Sequence, residues 1–176
     1  MLNNAQHTDV LKAEPSDDAS RSRLVDELKR RGNAAFKARS LPEADMLYSK
    51  AIEHLPEQHA LWSNRSATRA GMGRFADALA DADECTKLSP DWPKSHVRRG
   101  QALSGLKRYT AANSAFERAC ELDPANKAYR KEAAAALKSA EEAEAAGEEE
   151  PTAPAKSSTT KSSAAEAKRK RATAPA

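Results

Sequence analysis

Lys94 and Arg98 stand four residues apart, and so do Lys29 and Asn33. On a helix that spacing places both side chains of a pair on one face, about one turn apart. Asn64 lies between the two pairs in the chain. Together these residues offer cations and amides, with no nucleophile or general base among them. Their chemistry is anion binding. An arginine grips a carboxylate through a two-pronged fork, and a lysine supplies a compact charge. An asparagine donates hydrogen bonds without adding repulsion between the cations. Gathered in one groove, Lys29, Asn33, Asn64, Lys94 and Arg98 suit a ligand with more than one carboxylate.

The elements that must gather them repeat. Pro56, Pro90 and Pro124 recur every 34 residues, as do Ala44, Ala78 and Ala112. The same interval separates Leu28, Trp62 and His96, then Tyr48, Ala82 and Phe116, then Ala51, Cys85 and Ala119. His96 is a poor match to the apolar pair it follows. A period of about 34 residues with helix, turn, helix and proline is the tetratricopeptide signature. Small residues let the two helices of a unit approach closely, and proline ends the second helix because it has no N–H to donate. The expected fold is all-α: a right-handed solenoid of three helix-turn-helix repeats with a C-terminal capping helix.

Repeat one covers about residues 25–59, divided near Ser40-Leu41-Pro42, where Pro42 suits the first turn of a helix. Repeat two runs to about residue 92, divided at Gly71-Met72-Gly73, and repeat three to about residue 125, divided near Leu106-Lys107-Arg108. A seventh helix over residues 126–144 closes the open apolar end of the array, with Tyr129, Ala133, Ala136 and Leu137 as its buried stripe and Lys131 and Glu132 facing water. In such an array the first helix of each unit lines the concave side. Lys29, Asn33, Asn64, Lys94 and Arg98 all fall on first helices.

At these residues the chain resembles the carboxylate-clamp class of tetratricopeptide co-chaperones, which includes the heat-shock organising protein. The matching runs are Leu28-Lys29-Arg30-Arg31-Gly32-Asn33, Ser63-Asn64-Arg65-Ser66-Ala67, and Pro90-Asp91-Trp92-Pro93-Lys94 through Arg98. The resemblance implies that Lys29, Asn33, Asn64, Lys94 and Arg98 grip the C-terminal Glu-Glu-Val-Asp tail of 70-kDa or 90-kDa heat-shock chaperones. It covers about residues 22–140. Two positions depart from the pattern. Arg69 stands where the repeat usually has tyrosine, and is expected to add charge near the groove or to extend into solvent. Gly105 stands where members of the class carry a bulkier residue near the pocket for an upstream ligand side chain.

The remainder of the chain bounds the reading. Residues 1–19 are polar and form an expected flexible leader, with Asp17, Asp18 or Ser20 as candidate helix caps. The repeat domain occupies residues 20–145. Residues 146–176 turn acidic at Glu148-Glu149-Glu150 and end in the basic cluster Lys168-Arg169-Lys170-Arg171, a composition expected to stay disordered. Cys85 and Cys120 sit in helical patterns and read as small buried side chains in a reducing compartment. The four histidines lack metal-ligand spacing, and no glycine-rich phosphate loop or nucleophile elbow occurs. No enzyme, metal or cofactor is expected. No apolar run approaches the roughly 20 residues of a membrane span, so a soluble, cytoplasmic adaptor is expected. Two alternatives stay open: a nuclear or nucleic-acid-associated scaffold that uses the basic cluster, and a fragment of a larger protein of the same repeat class.

Overall fold

The computed structural model of the chain describes residues 7–148 and Pro151. Within them the backbone forms helices and turns, without strands. A short helix α1 (Thr8–Leu11) is followed by α2 (Asp18–Lys37) and α3 (Leu41–His54), α4 (His59–Gly71) and α5 (Phe75–Leu88), α6 (Pro93–Gly105) and α7 (Tyr109–Leu122), and last α8 (Lys127–Ala145). The pairs α2/α3, α4/α5 and α6/α7 are the three repeats, and α8 packs on α7 as the cap.

The 34-residue register is a packing register. Ala44, Ala78 and Ala112 are wholly buried, as are Ala51, Cys85 and Ala119. At the next register position the buried residues are Tyr48, Ala82 and Phe116. Their sizes are matched from the facing helix. A methyl group added at Gly32 would come within 2.7 Å of the Tyr48 ring, and one at Gly100 within 2.7 Å of the Phe116 ring. Repeat two has only Ala82 there, and the equivalent residue is Ser66, whose hydroxyl donates to the Ala78 carbonyl at 2.8 Å. A large side chain on one helix is thus met by the absence of one on its neighbour, which keeps density native-like without strain.

The joints repeat as well. Trp62 Nε1 donates to the Pro56 carbonyl at 2.7 Å, His96 Nε2 contacts that of Pro90 at 2.7 Å, and Arg130 Nη2 donates to that of Pro124 at 2.5 Å. His96 therefore keeps the register as a ring-nitrogen partner where its apolar match is poor. Inside each repeat the turn carries one residue in the left-handed region: Arg39 (φ 61°), Gly73 (φ 75°) and Lys107 (φ 59°). Only the middle turn uses the residue for which that conformation costs nothing sterically.

Arg69 does neither of the things expected of it. It joins a buried ionic network across three helices. Arg65 on α4 forks onto Asp81 of α5 at 2.9 and 2.8 Å and donates to Ser49 of α3 at 3.0 Å. Arg69 bridges Asp81 and Asp45 of α3, at 2.9 and 2.8 Å, and Arg74 adds a contact to Asp45 at 3.2 Å. Burial pushes the Asp81 carboxyl upward, and the fork from Arg65 opposes that shift. The network ties repeat one to repeat two.

Part of the expected leader packs against the first repeat. Val10 is buried in the same cluster as Val25, Leu28 and Leu47, with Leu11 and Leu24 against it. Both prongs of Arg31 hold Asp9, at 2.7 and 2.6 Å, and His7 contacts Glu43. The apolar start of the array supplies the reason: Val10 and Leu11 cover surface that would otherwise face water. Asp17 is the cap of α2, accepting from the Ser20 N–H at 2.7 Å while its own N–H donates to Ser20 Oγ at 3.1 Å.

At the other end, Ala136 is buried and Tyr129 and Ala133 pack on the last cluster, but Leu137 is 47% exposed. No helix lies beyond α8 among the described residues, and Leu137 borders an open concavity with Thr110 and Asn113 of α7. Gly105 lies under the ring of Phe75, where a Cβ would come within 2.2 Å of it, so a bulkier residue here would require that ring to move. The basic cluster at 168–171 and most of the expected tail lie outside the described residues.

Two substitutions test these assignments. Asp81→Ala leaves two guanidiniums without their shared acceptor and should cost about 3 kcal/mol in urea unfolding. Lys107→Gly relieves the left-handed turn and should stabilise by about 0.5–1 kcal/mol, the steric cost less the glycine entropy.

Candidate functional site

Four of the residues expected to bind an anion share one cavity. Asn33 of α2, Asn64 of α4, and Lys94 and Arg98 of α6 line a concavity of about 210 Å³, together with Phe36, Lys37, Tyr48 and Ala67. The first helices of all three repeats contribute to it, as a concave solenoid face requires. Lys29 is not among its lining residues. It lies one helical turn before Asn33 and pairs with Asp26 at 2.9 Å. Lys37, which the sequence reading passes over, does line it. Its signal was present, because Lys37 continues the four-residue stripe Lys29, Asn33.

Each side chain is held from behind. Tyr48 donates its hydroxyl to Asn33 Oδ1 at 2.7 Å, and Asn64 Nδ2 reaches the same oxygen at 3.4 Å. Lys94 Nζ stands 5.8 Å from the centre of the Trp92 ring, and Trp92 meets His59 edge to face at 4.7 Å. Arg98 Nη1 donates to Gln101 Oε1 at 2.9 Å, while its Nε is buried with no acceptor in reach.

The electrostatics set this site apart from the ion-paired arginines of the described residues. Neither Lys94 nor Arg98 has a carboxylate partner among the described residues, whereas Arg31, Arg65, Arg69 and Arg99 all do. Burial lowers the pKa of both, and in Lys94 the neighbouring Arg98 lowers it further. Cys85 is an electrostatic neighbour of both cations, but burial pushes its thiol up to about 11, so it stays neutral at pH 7. Two half-buried cations that line a cavity without a carboxylate partner among the described residues form a positive surface, chemically suited to an anion such as a carboxylate. Among the described residues no cluster of His, Cys, Asp or Glu is placed to hold a metal, and no helix is long and apolar enough to cross a membrane.

The unpaired charge has a measurable consequence. Lys94→Met should raise the stability of the free chain at pH 7 by up to about 1 kcal/mol, because it removes a partly desolvated charge. Lowering of the folded-state pKa fixes the sign of the pH dependence. The penalty is complete below that pKa and vanishes as pH rises from it to the ordinary lysine value of 10.5. The stability difference between Lys94→Met and wild type should shrink over that window in urea titrations.

Comparison with known proteins agrees with this architecture. Residues 93–126 match the tetratricopeptide repeat family. The chain is 44% identical over 117 residues to the Hsp70-Hsp90 organizing protein of Triticum aestivum, a match that covers 66% of this chain and 20% of that protein. It therefore spans about a fifth of that relative's length. The first tetratricopeptide domain of Spaghetti (RPAP3), solved bound to the HSP90 peptide SRMEEVD, superposes with a TM-score of 0.64 at 28% identity, over 66% of this chain and 93% of that one. The second such domain of human RPAP3, solved with the HSP70 peptide SGPTIEEVD, superposes with a TM-score of 0.60 at 26% identity, over 62% of this chain and 92% of that one. The described residues of this chain form a tetratricopeptide-repeat domain, similar in sequence to part of the Hsp70-Hsp90 organizing protein.

Proposed function

We propose that this chain is a co-chaperone adaptor that binds the C-terminal Glu-Glu-Val-Asp tail of 70-kDa or 90-kDa heat-shock chaperones. The observation that carries the reading is the pair Lys94 and Arg98, half-buried on the cavity wall without a carboxylate partner among the described residues. A terminal aspartate brings two carboxylates, one from its side chain and one from the main chain. Lys94 and Arg98 supply positive charge to that pair, and the amides of Asn33 and Asn64 supply neutral donors. Lys37 extends the positive rim. Lys29 belongs to the same stripe of α2 and takes part by exchanging Asp26 for the ligand, an exposed pair that costs little to break.

Similarity supports the choice of partner. The relatives and neighbours described above include a domain solved with an HSP90 tail peptide and one solved with an HSP70 tail peptide. An adaptor of this kind does no chemistry on its ligand, and a cytoplasmic location goes with it.

A short flexible peptide loses conformational entropy on docking, so a dissociation constant of about 1–100 μM is expected. Charge-assisted hydrogen bonds contribute about 1.5–3 kcal/mol each. Arg98→Ala should accordingly weaken binding of a free-acid tail peptide at least about tenfold in calorimetric titrations, with circular dichroism unchanged. Amidating the peptide's C-terminus removes one charge and one acceptor and should do similar damage to wild type. Equal affinity for the amidated and free-acid peptides would sink the carboxylate reading.

A further inference from the structure

Asn33 presents two different atoms at one end of its side chain, and a carboxylate needs the nitrogen, not the oxygen. Nothing in the covalent structure decides which of them faces the cavity. The packing behind it does. Tyr48 lines the same cavity and donates to Asn33 Oδ1 at 2.7 Å, and Asn64 Nδ2 approaches that oxygen at 3.4 Å. A phenol is the stronger constraint, because Tyr48 is buried and its hydroxyl proton has few other places to go. Burial also pushes its ionisation up to about 12, so it remains a donor throughout the neutral range.

The repeats provide an internal comparison. The residues in register with Tyr48 are Ala82 and Phe116, and those in register with Asn33 are Ala67 and Gln101. Phe116 has the same ring and lies over Gly100 as Tyr48 lies over Gly32. Packing alone is therefore satisfied by phenylalanine at this position. The hydroxyl occurs in the one repeat whose register partner is an asparagine, and there it bonds to that asparagine. In repeat three, without a hydroxyl, Gln101 turns its oxygen to Arg98 instead, at 2.9 Å.

We infer that Tyr48 is a positioning residue of the groove, whose hydroxyl holds the Asn33 amide with its nitrogen towards the ligand, so that the cavity selects a free carboxylate over an amide. Gly32 belongs to the same device, because a side chain there would displace the ring. The inference rests on the carboxylate reading above.

The test compares Tyr48→Phe with wild type in the full chain, using one tail peptide ending in Glu-Glu-Val-Asp as the free acid and as the C-terminal amide. Loss of the hydroxyl frees the amide to turn. The variant should bind the free acid about three- to tenfold more weakly while its affinity for the amide is unchanged or improved, so the ratio of the two affinities contracts. A purely structural defect would weaken both peptides together and leave the ratio intact, and that result overturns the inference. Tyr109→Phe, which removes a phenol outside the cavity, should keep the wild-type ratio, and an equal contraction there would also overturn it. If wild type itself does not distinguish the two peptides, the carboxylate reading fails first. Should Tyr48→Phe not fold, nuclear magnetic resonance of the wild-type chain decides: a slowly exchanging Tyr48 hydroxyl proton supports the bond to Asn33, and its absence counts against it.

Discussion

The structure depends on how closely the two helices of each repeat can approach. That distance is set where Ala44, Ala78 and Ala112 are fully buried, and where Gly32 and Gly100 lie beneath aromatic rings. A helix pair held at short range has a defined crossing, and a defined crossing repeated at a fixed interval gives an array with one curvature. The groove follows from that curvature. Side chains on α2, α4 and α6 that are about 30 residues apart in sequence come to line 210 Å³ of common space. Enlarging a buried alanine would thus disturb the groove through the spacing of the helices.

The legible part of the sequence was whatever the 34-residue interval repeats. Helix pairs, turns, terminating prolines and the membership of the concave face all follow from it, because each unit solves the same packing problem. Most of the candidate site was legible for the same reason, since polar residues on first helices have few other surfaces to occupy. What escaped were the contacts that occur once. Arg69 looked like a stray charge because its partners, Asp45 and Asp81, are 24 and 12 residues away, one in the preceding repeat and one on the facing helix of its own. Val10 and Asp9 looked like leader because their partners are supplied by the open end of repeat one, which no periodicity announces. Leu137 reads as core by spacing, yet a capping helix has a neighbour on one side only.

The same residue type meets opposite fates according to register. Arg65 and Arg69 are partly buried and answered by carboxylates within the chain, so their desolvation is offset where they stand. Arg98 is also largely removed from water, but among the described residues its side-chain hydrogen-bond partner is the neutral Gln101. The first arrangement fixes the angle between two repeats and contributes to the fold. The second leaves a charge that the fold alone does not compensate, and it lies on the wall of the groove.

This division explains why the groove can be selective without being large. A cavity of this size holds little more than one acidic side chain and a chain terminus, so shape can contribute only modestly to affinity. Discrimination must come from the donors lining it. An unpaired cation prefers any anion, and Lys94 with Arg98 would accept phosphate as readily as carboxylate on charge alone. Neutral amides are more demanding, because an amide turned the wrong way offers an acceptor and repels the ligand. For the proposed function, the step from a merely positive groove to one that reads a free peptide terminus lies in how Asn33 and Asn64 are oriented. Tyr48, on the wall of the same cavity, donates to Asn33 Oδ1, and Asn64 Nδ2 approaches that oxygen, so the two amides constrain one another.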